Sequence, residues 1–89
     1  MSAKFPFGQT TITPNAQNTL HPEDVLVALS RHGSGDWGDV NDEDKKLNDE
    51  ALKDQSRLLS AYSDRNDVKF WIITEADRSV TTVLLPEDY

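Results

Sequence analysis

In the last third of the chain, the pattern of apolar and polar positions becomes typical of β-strands. Three runs rich in β-branched and aromatic side chains cover 57–63, 68–75 and 80–85. Polar connections of four residues join these runs, which is typical of antiparallel neighbours. We predict a C-terminal meander of three strands. Its middle strand directs Phe70 and Ile72 to one face and Trp71 and Ile73 to the other.

Two helices are predicted in the middle of the chain. The first runs from Pro22 to about His32, because proline suits the first helical position and the apolar residues behind it recur at helical spacing. Gly33 is expected to end this helix. The second helix covers 42–54, and its apolar residues form only a thin stripe. Most of that helix should therefore face water.

The N-terminal segment has shorter signals. Residues 1–8 are expected to be flexible, although Phe5 and Phe7 could fold back onto the body. The run 9–13 is short and β-branched, which is typical of an edge strand, and the proline after it predicts a brief turn or helix. We predict a single α+β domain over 1–89, with a three- or four-stranded antiparallel sheet packed against two helices.

Composition narrows the class of protein. The chain has 89 residues, no cysteine and no apolar run long enough to span a bilayer. Disulfides and thiolate metal sites are excluded, since both need cysteine. We expect a small cytoplasmic protein without a membrane partner and without a cofactor.

Negative charge is concentrated in the middle of the chain. Sixteen acidic residues stand against nine basic ones, a formal net charge of −7, and segment 21–56 holds ten of the acids with four bases. Such a field repels a phosphate backbone, so direct nucleic-acid binding is not expected. The same field suits a basic protein partner, although it could simply keep a small domain in solution. The predicted interaction residues are Asp36, Trp37, Asp39, Asp42, Glu43, Asp44, Asp49 and Glu50.

The candidate chemistry is sparse. The acidic stretch resembles a calcium loop only loosely, because the sixth position counted from Asp39 is Asp44, where an EF-hand requires glycine. No metal site is therefore predicted. His32, Asp36 and Arg78 are candidates for an acid–base site if they converge, since imidazole titrates near neutrality and guanidinium holds an oxyanion. The alternative is that His32 caps a helix and Arg78 serves a turn.

The two tryptophans have different predicted roles. Trp37 lies among three glycines and is expected to pack inward and pin its loop, since so large a ring is seldom wholly exposed. Trp71 on the central strand is expected in the core. In the alternative, Trp71 lies with Tyr62 on an uncovered face and forms an aromatic anchor for a partner.

Two motifs carry a resemblance. The stretches Arg-His-x-x-Gly-Asp-Trp-Gly at 31–38 and Trp-Ile-Ile-Thr-Glu-Ala-Asp-Arg-Ser at 71–79 resemble a family of small bacterial proteins of unknown function, carried on plasmids and integrative elements. The resemblance covers about 21–89. The family pattern implies a glycine where Gln55 stands, at the end of the second helix. It implies no catalytic residue.

These observations predict a small acidic, non-catalytic protein that is encoded by a mobile element and acts by protein–protein interaction. One specific form of this hypothesis is an inhibitor of a basic partner that handles nucleic acid. The alternative is a small enzyme or ligand-binding domain that uses His32, Asp36 and Arg78. A homodimer is left open, because the 9–13 edge or the last strand could pair with a second chain.

Overall fold

In a computed structural model that describes residues 3–89, the protein folds into three helices and one sheet. The elements in chain order are β1 (Gln9–Ile12), α1 (Pro14–Thr19), α2 (Pro22–Gly33), α3 (Asp42–Asp54), β2 (Leu58–Ser63), β3 (Lys69–Thr74), β4 (Val80–Leu84) and a final 3₁₀ turn (Pro86–Asp88). The α+β class is confirmed. Within the described residues no helix has the length and apolar character needed to cross a membrane.

The sheet has the strand order β1-β4-β3-β2. Strands β2, β3 and β4 form the predicted antiparallel meander. Strand β1 lies at the edge, as predicted, but it runs parallel to β4, so the sheet is mixed. The parallel pairing is feasible because three helices and two strands separate β1 from β4 along the chain, and a connection of that length can return to either end of the sheet.

The main core lies between one face of the sheet and the first two helices. Strand alternation places Phe70 and Ile72 on this face, beside Val83 of β4, and all three are buried. The helices contribute short apolar side chains at helical spacing, such as Val25 and Ala28 of α2. Close packing of these residues explains why α2 follows its predicted bounds to within one residue.

A second cluster of buried residues lies next to the first. It consists of Phe5, Trp37, Ala51 and Leu58, with Phe7 packed against it. Trp37 is 3% exposed, which confirms its predicted inward packing. The backbone N–H of Lys4 donates to the carbonyl of Gly33 at 2.8 Å, so the N-terminal segment folds back onto the body from that point. Residues 1 and 2 of the segment predicted to be flexible lie outside the described residues.

Trp71 lies on the face of the sheet opposite to the main core. It is half-buried, belongs to neither cluster, and contacts Tyr89 with ring centroids 5.8 Å apart. Its predicted place in the core and its alternative pairing with Tyr62 are both wrong. Tyr62 pairs with Phe70 across the ladder and is 2% exposed, so strand alternation turns it away from Trp71.

The ends of α3 are set by local chemistry. The Asn41 side chain accepts a hydrogen bond from the backbone N–H of Asp44 at 2.8 Å and caps the first turn. At the other end Gln55 adopts the left-handed conformation with φ of 59°. The helix thus ends where a glycine was expected, although glutamine occupies the position.

Candidate functional site

His32 is the most completely enclosed ionisable residue of the candidate set. It lies in the last turn of α2, and its exposed fraction is 0%. Its Nδ1 lies 2.5 Å from Oγ of Ser60, and its Nε2 lies 2.9 Å from Oγ1 of Thr74. A further hydrogen bond of 2.8 Å joins Thr74 to Thr81, whose hydroxyl donates to the carbonyl of Phe7 at 2.8 Å. The result is a continuous buried chain of hydrogen bonds.

The Phe7 carbonyl determines the direction of every proton in this chain. A carbonyl oxygen only accepts, so the hydroxyl proton of Thr81 points to it, and Thr81 must accept from Thr74. Thr74 in turn accepts from Nε2–H of His32, which leaves Nδ1 to accept from the hydroxyl of Ser60. The neutral Nε2–H tautomer therefore satisfies every member of the network.

Aromatic rings enclose the histidine. The ring centroid of Phe5 lies 5.3 Å from that of His32, Trp37 lies 5.6 Å away and Phe7 lies 5.9 Å away. Burial, with a smaller contribution from the positive charge of Arg78, lowers the pKa of His32 from 6.5 to about 4. The imidazole is therefore neutral at physiological pH.

A serine hydroxyl that donates to an imidazole is the arrangement that activates a nucleophile in hydrolases. Ser60 and His32 are both 0% exposed, however, and the aromatic rings close the space around them. A substrate cannot reach the serine while Phe5 and Phe7 hold these positions. The arrangement holds α2 against β2, β3 and β4, which is a structural role.

Arg78 acts as a clamp between the turn before β4 and the end of α3. Its two terminal nitrogens donate to backbone carbonyls, at 2.7 Å to Ser56 and 2.9 Å to Ala51. The guanidinium carbon lies 5.7 Å from the ring centre of Phe5, on which His32 also packs. The structure thus places both residues near Phe5, with the arginine engaged by carbonyl oxygens rather than facing an open pocket.

Asp36 belongs to a separate cluster. Its carboxylate accepts from Nε of Arg31 at 2.8 Å and from the backbone N–H of Gly38 at 3.2 Å. The hydrogen bond from Arg31 is the main reason that the pKa of Asp36 is lowered. The three acid–base candidates therefore have three different sets of partners and do not form one site.

Helix α3 attaches to the body through hydrogen bonds more than through apolar contacts. Only Asn48 and Ala51 are buried. The Asn48 amide donates to the carbonyl of Leu59 at 2.7 Å and accepts from its N–H at 3.2 Å, so it pairs with the edge of β2 as another strand would. The indole N–H of Trp37 donates to Asp49 at 3.0 Å. With the Arg78 clamp, three contacts fix the helix.

The predicted acidic residues are mostly exposed. Their exposed members are Asp36, Asp39, Asp42, Glu43, Asp44, Asp49 and Glu50, and within residues 3–89 none of those on α3 forms an ion pair. Trp37, which was predicted to be an interaction residue, cannot contact a partner at this surface because its ring is buried. Successive helical residues are about 100° apart, which places Lys46 and Lys53 on one line along the helix surface. Asp42 and Asp49 lie on one side of that line, and Glu43 and Glu50 lie on the other. The predicted acidic residues of α3 therefore form two stripes, with Asp44 outside both.

In the part of the chain that the structure describes, no group of three or more His, Cys, Asp or Glu side chains is placed to hold a metal ion. Comparison of the chain with protein-family models, with curated proteins and with solved structures found no match.

Two features of the site were not predicted. The partners of His32 on the strands, Ser60 and Thr74, and the strand-like role of Asn48 both depend on which residues face one another in the fold. The sequence did contain a signal for the buried role of Ser60, because Ser60 alternates with Leu58 and Tyr62 at inward positions of β2. A polar residue at an inward strand position requires a buried partner.

Proposed function

We propose that this protein is a non-catalytic binding protein, encoded by a mobile element, that uses the outward side of α3 to bind a basic protein partner. The observation that carries the proposal is the contrast within α3 between firm attachment and exposure. Three hydrogen-bonded contacts hold the helix, yet only two of its 13 residues are buried. The mobile-element origin depends only on the resemblance of the two tryptophan motifs.

The fixed position of α3 supports a role in binding. A surface that is already ordered loses less conformational entropy when a partner binds, so more of the contact energy appears as affinity. The unpaired carboxylates would also accelerate the encounter with a basic protein. If the partner is a nucleic-acid-handling protein, the acidic helix would occupy the surface that otherwise meets phosphates.

One stripe of α3 fits this role better than the other. Glu43, Leu47 and Glu50 follow one another at the spacing of one helix face, and Leu47 is 56% exposed. An apolar residue between two carboxylates suits a basic surface with an apolar centre. On the other stripe Asp49 already accepts a hydrogen bond from Trp37. We therefore assign the contact to Glu43, Leu47 and Glu50.

The test is affinity capture from a lysate of the source organism at low and at high salt. The variant Glu43→Gln/Glu50→Gln should lose the partner that the unaltered chain captures. The matched control Asp67→Asn/Glu87→Gln removes the same charge from exposed positions elsewhere and should retain it. Capture should also decrease at high salt, because salt screens contacts between exposed charges.

Equal capture by the two variants would contradict the assignment to α3. A stable chain that captures no protein at low salt would contradict the binding role itself. Circular dichroism of each variant provides the check that the fold is intact.

A further inference from the structure

The two edges of the sheet differ in how they are covered. On β2, the Asn48 amide pairs with Leu59, and the backbone around Gly38 pairs with Ala61: Ala61 donates to the Trp37 carbonyl at 3.1 Å, and Asp39 donates to the Ala61 carbonyl at 2.7 Å. A side chain at Gly38 would overlap the Ala61 carbonyl, so glycine is required for this approach. The β2 edge is therefore closed.

The β1 edge is open. Gln9 N donates to the Ser79 carbonyl at 2.9 Å and Thr13 N to the Val83 carbonyl at 3.0 Å, so alternate residues of this strand face β4. The backbone N–H and C=O groups of Thr10 and Ile12 then point outward, and within residues 3–89 they have no hydrogen-bond partner in the fold. Neither charge, proline nor bulge protects the strand, although these are the usual devices that block pairing.

Charge indicates what can pair with this edge. Residues 5–20 contain no charged side chain, although the chain as a whole carries −7. Two copies of so acidic a chain repel each other at most orientations, and this neutral segment is where they can approach with the least repulsion. A basic partner would gain nothing from charge here.

The edge is also complementary to itself. If two β1 strands run antiparallel about a two-fold axis at Thr11, Thr10 of each copy opposes Ile12 of the other. All four outward groups of each strand are then paired. Opposed residues share a face of the sheet, so the helices of both copies lie on the same side of the joined sheet.

An apolar groove continues from this edge on that same side. Its volume is about 310 Å³, and it is lined by Ile12, Gln17, Leu20, Pro22, Val25 and Leu26. Leu26 is 68% exposed at this groove. Because Ile12 belongs both to the edge and to the groove, strand pairing would bring the two grooves together and cover exposed apolar surface.

We infer that two copies of this chain form a homodimer by antiparallel pairing of β1 with β1, with the apolar groove beside Ile12 buried in the same interface. This inference concerns a different surface from the α3 contact and is independent of the proposed function. The dimer would contain a continuous sheet of eight strands, closed at both outer ends by Asn48 and the Gly38 segment.

Sedimentation velocity of the full chain, from about 1 µM to about 1 mM, tests the inference over the range that separates tight from weak association. The unaltered chain should form dimers. Thr10→Pro removes an outward N–H without touching the ladder to β4, and Thr10→Lys places a charge on the edge; each should weaken dimerisation by at least about tenfold. The control Asn66→Lys adds the same charge in the β2–β3 turn and should leave the dimer intact.

Salt and Leu26 complete the test. Added salt should strengthen the dimer, because it screens the repulsion between two acidic chains, and Leu26→Gln should weaken it. A chain that stays monomeric throughout, or a dimer that both Thr10 variants leave unchanged while they retain the native circular dichroism, would overturn the inference. A dimer that dissociates with salt would also overturn it, since such a contact would be driven by charge.

Discussion

Helices α2 and α3 are nearly equal in length but are held by different forces. Helix α2 buries Val25, Ala28 and His32 and contributes to the main core. Helix α3 buries only Asn48 and Ala51, and hydrogen bonds to its side chains and carbonyls attach it. The comparison shows that one small domain can fix a helix either by filling space or by pairing polar groups.

The two modes of attachment leave different freedom at the surface. The inward side of α2 includes a histidine whose hydrogen bonds all depend on its exact tautomer, so few changes are tolerated there. The outward side of α3 has no role in packing, and its residues can change without loss of the fold. A binding surface can therefore evolve on α3 at little structural cost.

The largest expected effect concerns His32 and pH. In the unfolded chain His32 takes up a proton near pH 6.5, whereas in the folded chain its pKa is lowered to about 4. Acidification across this interval therefore favours the unfolded state, by about 3 kcal/mol in total. This contribution of His32 to the free energy of unfolding should be fully present above pH 6.5 and decrease as the pH falls toward 4.

Urea unfolding at several pH values measures this effect. His32→Gln removes the titrating group, so the difference in stability between this variant and the unaltered chain should shrink on acidification. A difference that stays constant between pH 6.5 and 4 would show that His32 is not the group responsible.

Asn48 tests the attachment of α3. Asn48→Ala leaves both backbone groups of Leu59 without their partner and should lower the free energy of unfolding by about 2 kcal/mol. Lys45→Ala, at an exposed position of the same helix, should change it by less than about 0.5 kcal/mol. Thermal or denaturant unfolding distinguishes the two, and equal effects would mean that the amide does not hold the helix.

Gln55 should give a smaller effect of the opposite sign. A glutamine in the left-handed region is strained by its Cβ, so Gln55→Gly should stabilise the protein by about 0.5 to 1 kcal/mol. Gln55→Ala retains the Cβ and should bring no such gain. Destabilisation by glycine would show that the glutamine side chain makes a contact that outweighs the strain.

The smallest effect is expected on the outward side of α3. Glu43→Gln/Glu50→Gln should change the free energy of unfolding by less than about 0.5 kcal/mol, because neither side chain is buried or ion-paired within the described residues. Chemical denaturation provides the measurement. A loss comparable to that of Asn48→Ala would remove the distinction between the two helices' surfaces.

Local signals were sufficient to predict most elements. Runs rich in β-branched and aromatic residues predicted the three strands of the meander, and the predicted bounds of α3, 42–54, agree with the observed ones. In the structure the Asn41 cap and the acidic first turn fix the beginning of this helix. The parallel direction of β1 was not predicted. No local pattern encodes strand direction, which follows from the path of a long connection.

The candidate site was less predictable for a related reason. The chemistry of His32, Asp36 and Arg78 suggests an acid–base site only if the three converge, and the fold gives each a different partner: Ser60, Arg31 and the Ala51 carbonyl. Trp71 was expected in the core because it lies on the central strand. Strand alternation correctly placed it opposite Phe70, and only the tertiary structure decides that the helices cover the Phe70 face.

The sequence by itself determined the class of fold, the meander, the bounds of the two long helices and the concentration of negative charge around α3, since each of these depends on residues that are near one another in the chain. Only the tertiary structure decided that His32 is sealed beside Ser60, that Asn48 closes the β2 edge and that the β1 edge stays open. These are contacts between segments far apart in sequence, and they form only when the strands have found their order and register.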